Sequence, residues 1–208
     1  IRHMYAELTV KEFLNETASA KAVPGGGSVA ALGAALAAGL VEMVAGLTID
    51  RKGFEAVSDQ MREIASLASK LKDQCNLSID KDTGAYSRVV DAYRMPKTNE
   101  NEIKDRTLAI QGAMKDAALV PMETARHAYQ IMEFAGSVVK HGNPNAVSDG
   151  LVAAMLARTA VLAGLYNVKI NLTSILDSDF VDKLKDQVKQ LEEQVYIKEA
   201  EILTSVNL

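Results

Sequence analysis

The chain has no tryptophan, one cysteine, three histidines and four prolines in 208 residues. Each shortage excludes something. A lone thiol, Cys75, closes no internal disulfide, which fits a reducing, cytoplasmic setting. So few His and Cys residues cannot build a His- or Cys-rich metal cage, and no metal site is expected. Histidine is also the commonest general acid or base, so chemistry here falls to carboxylates, Lys, Arg and backbone groups. The net charge is −4 and the pI about 5.5. A basic surface that could track phosphates is therefore missing, and no nucleic-acid partner is expected. The start of the chain lacks the pattern of a secretory signal. Ile1-Arg2-His3, ahead of Met4, reads as an expression remnant outside the fold, and residues 5–208 as one domain.

What is plentiful is alanine, with 30 residues, in a chain that is 48% hydrophobic and 24% charged. Helical periodicity runs throughout, and no stretch alternates like a strand between hairpin dipeptides. Thr9 with Glu12 forms a capping box ahead of a short helix from Val10 to about Ser19. After Val23-Pro24-Gly25-Gly26-Gly27-Ser28, a nearly uninterrupted apolar segment runs from Val29 to Ile49, with Glu42 as its one charge. It is long enough to span a bilayer. Ala and Gly are weakly apolar, however, and Glu42 sits inside, so a helix buried on all sides is the reading, with no membrane partner.

The pattern predicts one long helix from Phe54 to about Arg94, ended by Pro96, and another from Asn99 to Lys140, bent or interrupted at Pro121. Lys140-His141-Gly142 closes that helix, and Gly142-Asn143-Pro144-Asn145 turns. Gly150 to Val168 forms a second alanine-rich helix, and an amphipathic helix covers Asp179 to Ser205. The expected fold is an all-α antiparallel bundle around two buried Ala-rich central helices. The few amphipathic helices of one chain cannot cover both, so an obligate homodimer is expected.

Four places could carry chemistry. Gly25, Gly26, Gly27 and Ser28 let a ligand approach backbone amides at a helix start, or simply form a turn with Ser28 as N-cap. Asp82 falls on the stripe Cys75, Ile79, Tyr86, Val89, Tyr93, where an apolar residue belongs. An inward carboxylate is costly unless it is paired or lines a cavity. It either works there, with Tyr86 one turn on, or joins a surface salt bridge after a break near Gly84. Lys97 and Arg106 are cations near a loop. Asn143, Ser148 and Asp149 introduce an otherwise apolar helix, which turn and cap chemistry also explains. Cys75, His127 and the methionines read as packing.

In order and spacing these pieces resemble the cyclodeaminase family of one-carbon metabolism, to which the C-terminal domain of formiminotransferase-cyclodeaminase belongs. The resemblance rests on Pro24 to Leu32, Asp82 with Ala85-Tyr86, Met95-Pro96-Lys97 and Pro121. Gly142-Asn143 with Ser148-Asp149, and Tyr166-Asn167-Val168-Lys169-Ile170-Asn171-Leu172, complete it. It implies an all-α dimer with tetrahydrofolate as ligand and no cofactor beyond that substrate. It also implies conversion of 5-formimidoyltetrahydrofolate to 5,10-methenyltetrahydrofolate and ammonia, a lyase reaction. Related stand-alone proteins are linked to methenyltetrahydrofolate hydrolysis instead. These 208 residues leave no room for a formiminotransferase domain, so both reactions stay open, as does a non-catalytic folate-binding or assembly module. Within the resemblance, Asp82 moves protons with help from Tyr86, and Lys97 and Arg106 meet the glutamate tail. The glycine loop contacts the pterin or an anionic group, and Asn143, Ser148 and Asp149 bond the pterin edge. The cleft is expected at or near the dimer interface.

Overall fold

The structure is a computed structural model, described here for residues 4–207. Ile1-Arg2-His3, read above as an expression remnant, lie outside the described residues. The described residues form six α-helices: α1 (Val10–Thr17), α2 (Gly26–Gly46), α3 (Ser58–Tyr93), α4 (Glu100–His141), α5 (Val147–Leu172) and α6 (Ser178–Thr204). The rest is turns and three short 3-10 segments, so the all-α expectation holds. Helix starts follow local chemistry. Thr9 and Glu12 make the reciprocal capping box of α1. The side chains of Asn99 and Asp177 accept from the amides of Glu102 and Phe180 at the starts of α4 and α6.

Helix α2 packs against α3, α4 and α5, and α4 lies along α5. The small side chains permit these close approaches. Ala31, Ala34, Ala37, Ala38 and Ala45 of α2 are fully buried, as are Ala153, Ala154 and Ala157 of α5. A Cβ on Gly164 would meet the Pro121 carbonyl oxygen at 2.9 Å, so α4 and α5 nearly touch backbones there. Three ion pairs lie along the edges of α2 and α5. Lys72 Nζ donates to Glu42 at 2.6 Å, and Arg158 and Lys169 of α5 reach Glu199 and Glu192 of α6.

Two expectations change in detail. Helix α4 runs unbroken through Pro121, because a side chain from α5 takes up the carbonyl that the proline leaves free. The apolar helices are also not covered on all sides by their own chain. Val29, Leu36 and Met43 of α2 with Leu47 at its C-cap, and Val152, Met155, Tyr166 and Ile170 of α5, remain exposed. Both helices have the length and hydropathy of a membrane crossing, and half of each is buried inside the fold.

Candidate functional site

The stripe along α3 explains how a carboxylate comes to face inward. Met61, Ile64, Ala68, Leu71, Cys75 and Ile79 are buried in sequence. One turn later Asp82 sits where the next core residue would be, and α3 continues helical past Gly84. There α3 meets the first turn of α2. Gly25 is the N-cap of α2 and Gly26, Gly27 and Ser28 form its first turn, so Ser28 does not cap the helix. Its hydroxyl instead donates to Asp82 Oδ2 at 2.9 Å and lies 3.1 Å from the carbonyl of Ile79.

Glycine at position 27 is a packing requirement. A Cβ there would meet the Asp82 carboxylate carbon at 2.5 Å and Oδ2 at 2.8 Å. Burial raises the Asp82 pKa above the usual carboxylate range, while hydrogen bonding from Ser28 pulls it back. The two effects oppose each other, burial prevailing, and the side-chain partner of Asp82 is a hydroxyl rather than a cation.

Asp82 lines a cleft of about 380 Å³. Gly25, Gly26, Gly27, Tyr86 and Tyr93 share its wall. Helix α5 adds Asn167 and Asn171 to the lining. Asn167 stands against the start of α2, with its Nδ2 3.2 Å from where a Cβ on Gly26 would be. Among the described residues that line this cleft, Asp82 is the one that bears a charge. Its surroundings favour a neutral or cationic centre with N–H groups to donate.

Asp82, Tyr86 and the three glycines therefore converge, with Ser28 bonded to Asp82 from behind. The other predicted residues do not line the cleft. Lys97 is exposed beyond the end of α3. Arg106 is engaged by Tyr93: its guanidinium lies 5.5 Å from the ring centre and donates to the Tyr93 carbonyl at 3.0 Å. Asn143 sits at the far end of α2, roughly 30 Å from the glycine turn at 1.5 Å per residue. It is buried there, its amide donating to Thr48 Oγ1 at 2.9 Å and its side chain to the Leu47 carbonyl at 3.2 Å. Its Oδ1 also accepts from Asn145. Ser148 and Asp149 begin α5 at that same end. The turn between α4 and α5 is tied to the end of α2 there by Asn143.

Asn167, Asn171 and Tyr93 enter the site without having been singled out as site residues. Their signal was present: two polar residues four apart interrupt the apolar run of α5, which places both on one face.

Comparison with known proteins identifies the family. Residues 9–190 match the formiminotransferase-cyclodeaminase family. The chain belongs to that family. The formimidoyltransferase-cyclodeaminase of Rattus norvegicus is 30% identical over 200 residues, covering 96% of this chain and 37% of the relative. The chain thus spans little more than a third of that family member's length. A methenyltetrahydrofolate cyclohydrolase of Methylorubrum extorquens is 32% identical over 184 residues, covering 88% of this chain and 87% of that protein. The crystal structure of formiminotetrahydrofolate cyclodeaminase from Thermotoga maritima matches with a TM-score of 0.86 at 31% identity, over 96% of both chains.

Proposed function

We propose that this family member is a folate one-carbon enzyme that converts 5-formimidoyltetrahydrofolate to 5,10-methenyltetrahydrofolate with release of ammonia. The observation that carries the reading is the half-buried carboxylate of Asp82, bonded by Ser28 and set against Gly27 in the wall of a cleft. The formimidoyl group reacts in its protonated form, N5–CH=NH2+: N10 attacks its carbon, a C–N10 bond forms, and the C=N π pair moves onto the nitrogen, which becomes an amino group. The N10 proton passes to Asp82, which then returns it to the amino nitrogen. The C–N bond to that nitrogen breaks, ammonia departs, and the lone pair of N5 closes the methenyl cation. One carboxylate serves both transfers. A pKa raised by burial and restrained by Ser28 suits a group that must accept and then give up the same proton. Tyr86 assists from the next turn of α3, with its hydroxyl available to the cleft. Neither a metal nor a redox cofactor is needed for these steps.

Hydrolysis of the methenyl compound is the second reading, favoured by the end-to-end match to the Methylorubrum extorquens cyclohydrolase. There Asp82 would take a proton from water adding to the same carbon. Supplying both folates to the purified protein separates the two. Ammonia release from the formimidoyl compound supports the first, methenyl hydrolysis alone supports the second, and turnover of neither supports a non-catalytic folate-binding or assembly module.

The homodimer belongs to the same proposal. Val29, Leu36 and Met43 recur along one stripe of α2 with Leu47 at its C-cap, and exposed apolar residues of α5 extend the surface. The stripe starts beside the cleft, where Val29 follows Ser28 and Tyr166 precedes Asn167. A second copy covering it would place each cleft at the subunit boundary. Lys97 is assigned the anionic glutamate tail beyond Tyr93, and Arg106 the support of Tyr93. The single buried Cys75, its thiol pushed up to about 12 by burial, suits a cytoplasmic setting.

A further inference from the structure

Pro121 has no N–H, so the carbonyl of Ala117, one turn earlier in α4, lacks its helical partner. The structure supplies another. Asn171 of α5 donates through Nδ2 to that carbonyl at 2.8 Å. A carbonyl oxygen can only accept, so this contact fixes which end of the Asn171 amide is nitrogen. With the nitrogen held on α4, the carbonyl oxygen is left as the acceptor that Asn171, a lining residue of the cleft, can offer a ligand. Asn167 is fixed the same way, its Nδ2 donating to the Ala163 carbonyl at 2.8 Å. Helix α5 thus brings to the cleft two amide side chains whose nitrogens are each engaged by a backbone carbonyl, and the one lining charge of that cleft is the carboxylate of Asp82.

We infer that Asn171 is a substrate-binding acceptor for an N–H donor of the folate, and that Pro121 positions it through the freed Ala117 carbonyl. Pro121 is itself buried and is absent from the cleft wall. Its effect on binding would pass through Asn171. Restoring an amide at position 121 gives Ala117 a competing partner and releases the Asn171 side chain to rotate. The inference rests on the folate reading above, and its test must separate the two.

The experiment measures tetrahydrofolate binding by calorimetry and KM and kcat with the formimidoyl and methenyl folates. It uses the full chain, Pro121→Ala, Asn171→Ala and the double variant, with thermal melts of each. Asn171→Ala is expected to weaken binding about three- to tenfold, the effect of one lost hydrogen bond, with a smaller change in kcat. Pro121→Ala is expected to melt at or above the wild-type temperature, since alanine favours a helix interior. It should nevertheless show the same weakened binding, and adding it to Asn171→Ala should change nothing further. A merely structural role for Pro121 would not combine a retained melting temperature with a raised KM that vanishes in the Asn171→Ala background. Wild-type affinity in Asn171→Ala overturns the inference even if Pro121→Ala does not fold, as do additive effects in the double variant. If the wild-type chain itself binds no tetrahydrofolate, the folate reading falls and takes this inference with it.

Discussion

The carboxylate of Asp82 occupies the space into which a side chain at Gly27 would project. A Cβ at position 27 would lie 2.5 Å from the carboxylate carbon. Gly27→Ala must therefore displace either Asp82 or the first turn of α2. It should cost about 1–3 kcal/mol of stability, as overpacking commonly does. Turnover should fall at least tenfold, because the proton carrier leaves its position. Gly25→Ala is the control. Its Cβ would stand 3.2 Å from the Ala22 carbonyl and clear of Asp82, and it should retain more activity. Paired melts and rate measurements check both variants.

Ser28 is predicted to tune the pH dependence of the proposed reaction. Its hydroxyl donates to the charged form of Asp82 and so lowers a pKa that burial raises. When Asp82 acts as the base it must be ionised, so activity should rise with pH as it loses its proton. Ser28→Ala removes the lowering influence. The acid limb of the kcat/KM profile should then move to higher pH. A limb that stays in place, or moves lower, would contradict the arrangement.

The sequence made the helices legible because the period of three and four is strong along α3 and α6. It also exposed Asp82, since a carboxylate on an apolar stripe violates the pattern that defines the stripe. Other features depended on contacts between distant segments. Ser28 looks like an N-cap, but α2 starts two residues earlier at Gly26, and the hydroxyl bonds instead to Asp82, 54 residues away. Pro121 signals a helix break until Asn171, distant in sequence but adjacent in the fold, takes its place in the hydrogen-bond ladder. Asn143 carries the same polar groups in a turn as in a binding site. Spacing gives no indication that it lies at the opposite end of α2 from the glycines.

Asn143 should therefore behave as a structural residue. It is 4% exposed and joins the α4–α5 turn to Leu47 and Thr48. Asn143→Ala strands the Leu47 carbonyl and loses the Oδ1 cap, at a cost of about 1–3 kcal/mol. The melting temperature should fall while kcat below the transition stays within about twofold of wild type. Loss of turnover with an unchanged melt would instead place Asn143 in a site shared between two copies.

The proposed dimer is checked by changing the middle of the apolar stripe. Leu36 is 54% exposed and lies between Val29 and Met43 on α2. Leu36→Asp places a charge where a second copy would bury it, at a cost of several kcal/mol per interface. Analytical ultracentrifugation should find dimer for the wild type and monomer for the variant at micromolar concentration. A monomeric wild type would remove the shared-cleft proposal.

Proton transfer by Asp82 is the central step of the proposed reaction, and Asp82→Asn tests it most directly. The substitution keeps the size of the side chain and its contact with Gly27 while removing the exchangeable charge. Ammonia release from 5-formimidoyltetrahydrofolate, measured beside tetrahydrofolate affinity, is predicted to fall ~100-fold or more, with affinity little changed. Turnover at the wild-type rate in a folded, folate-binding Asp82→Asn variant would contradict it.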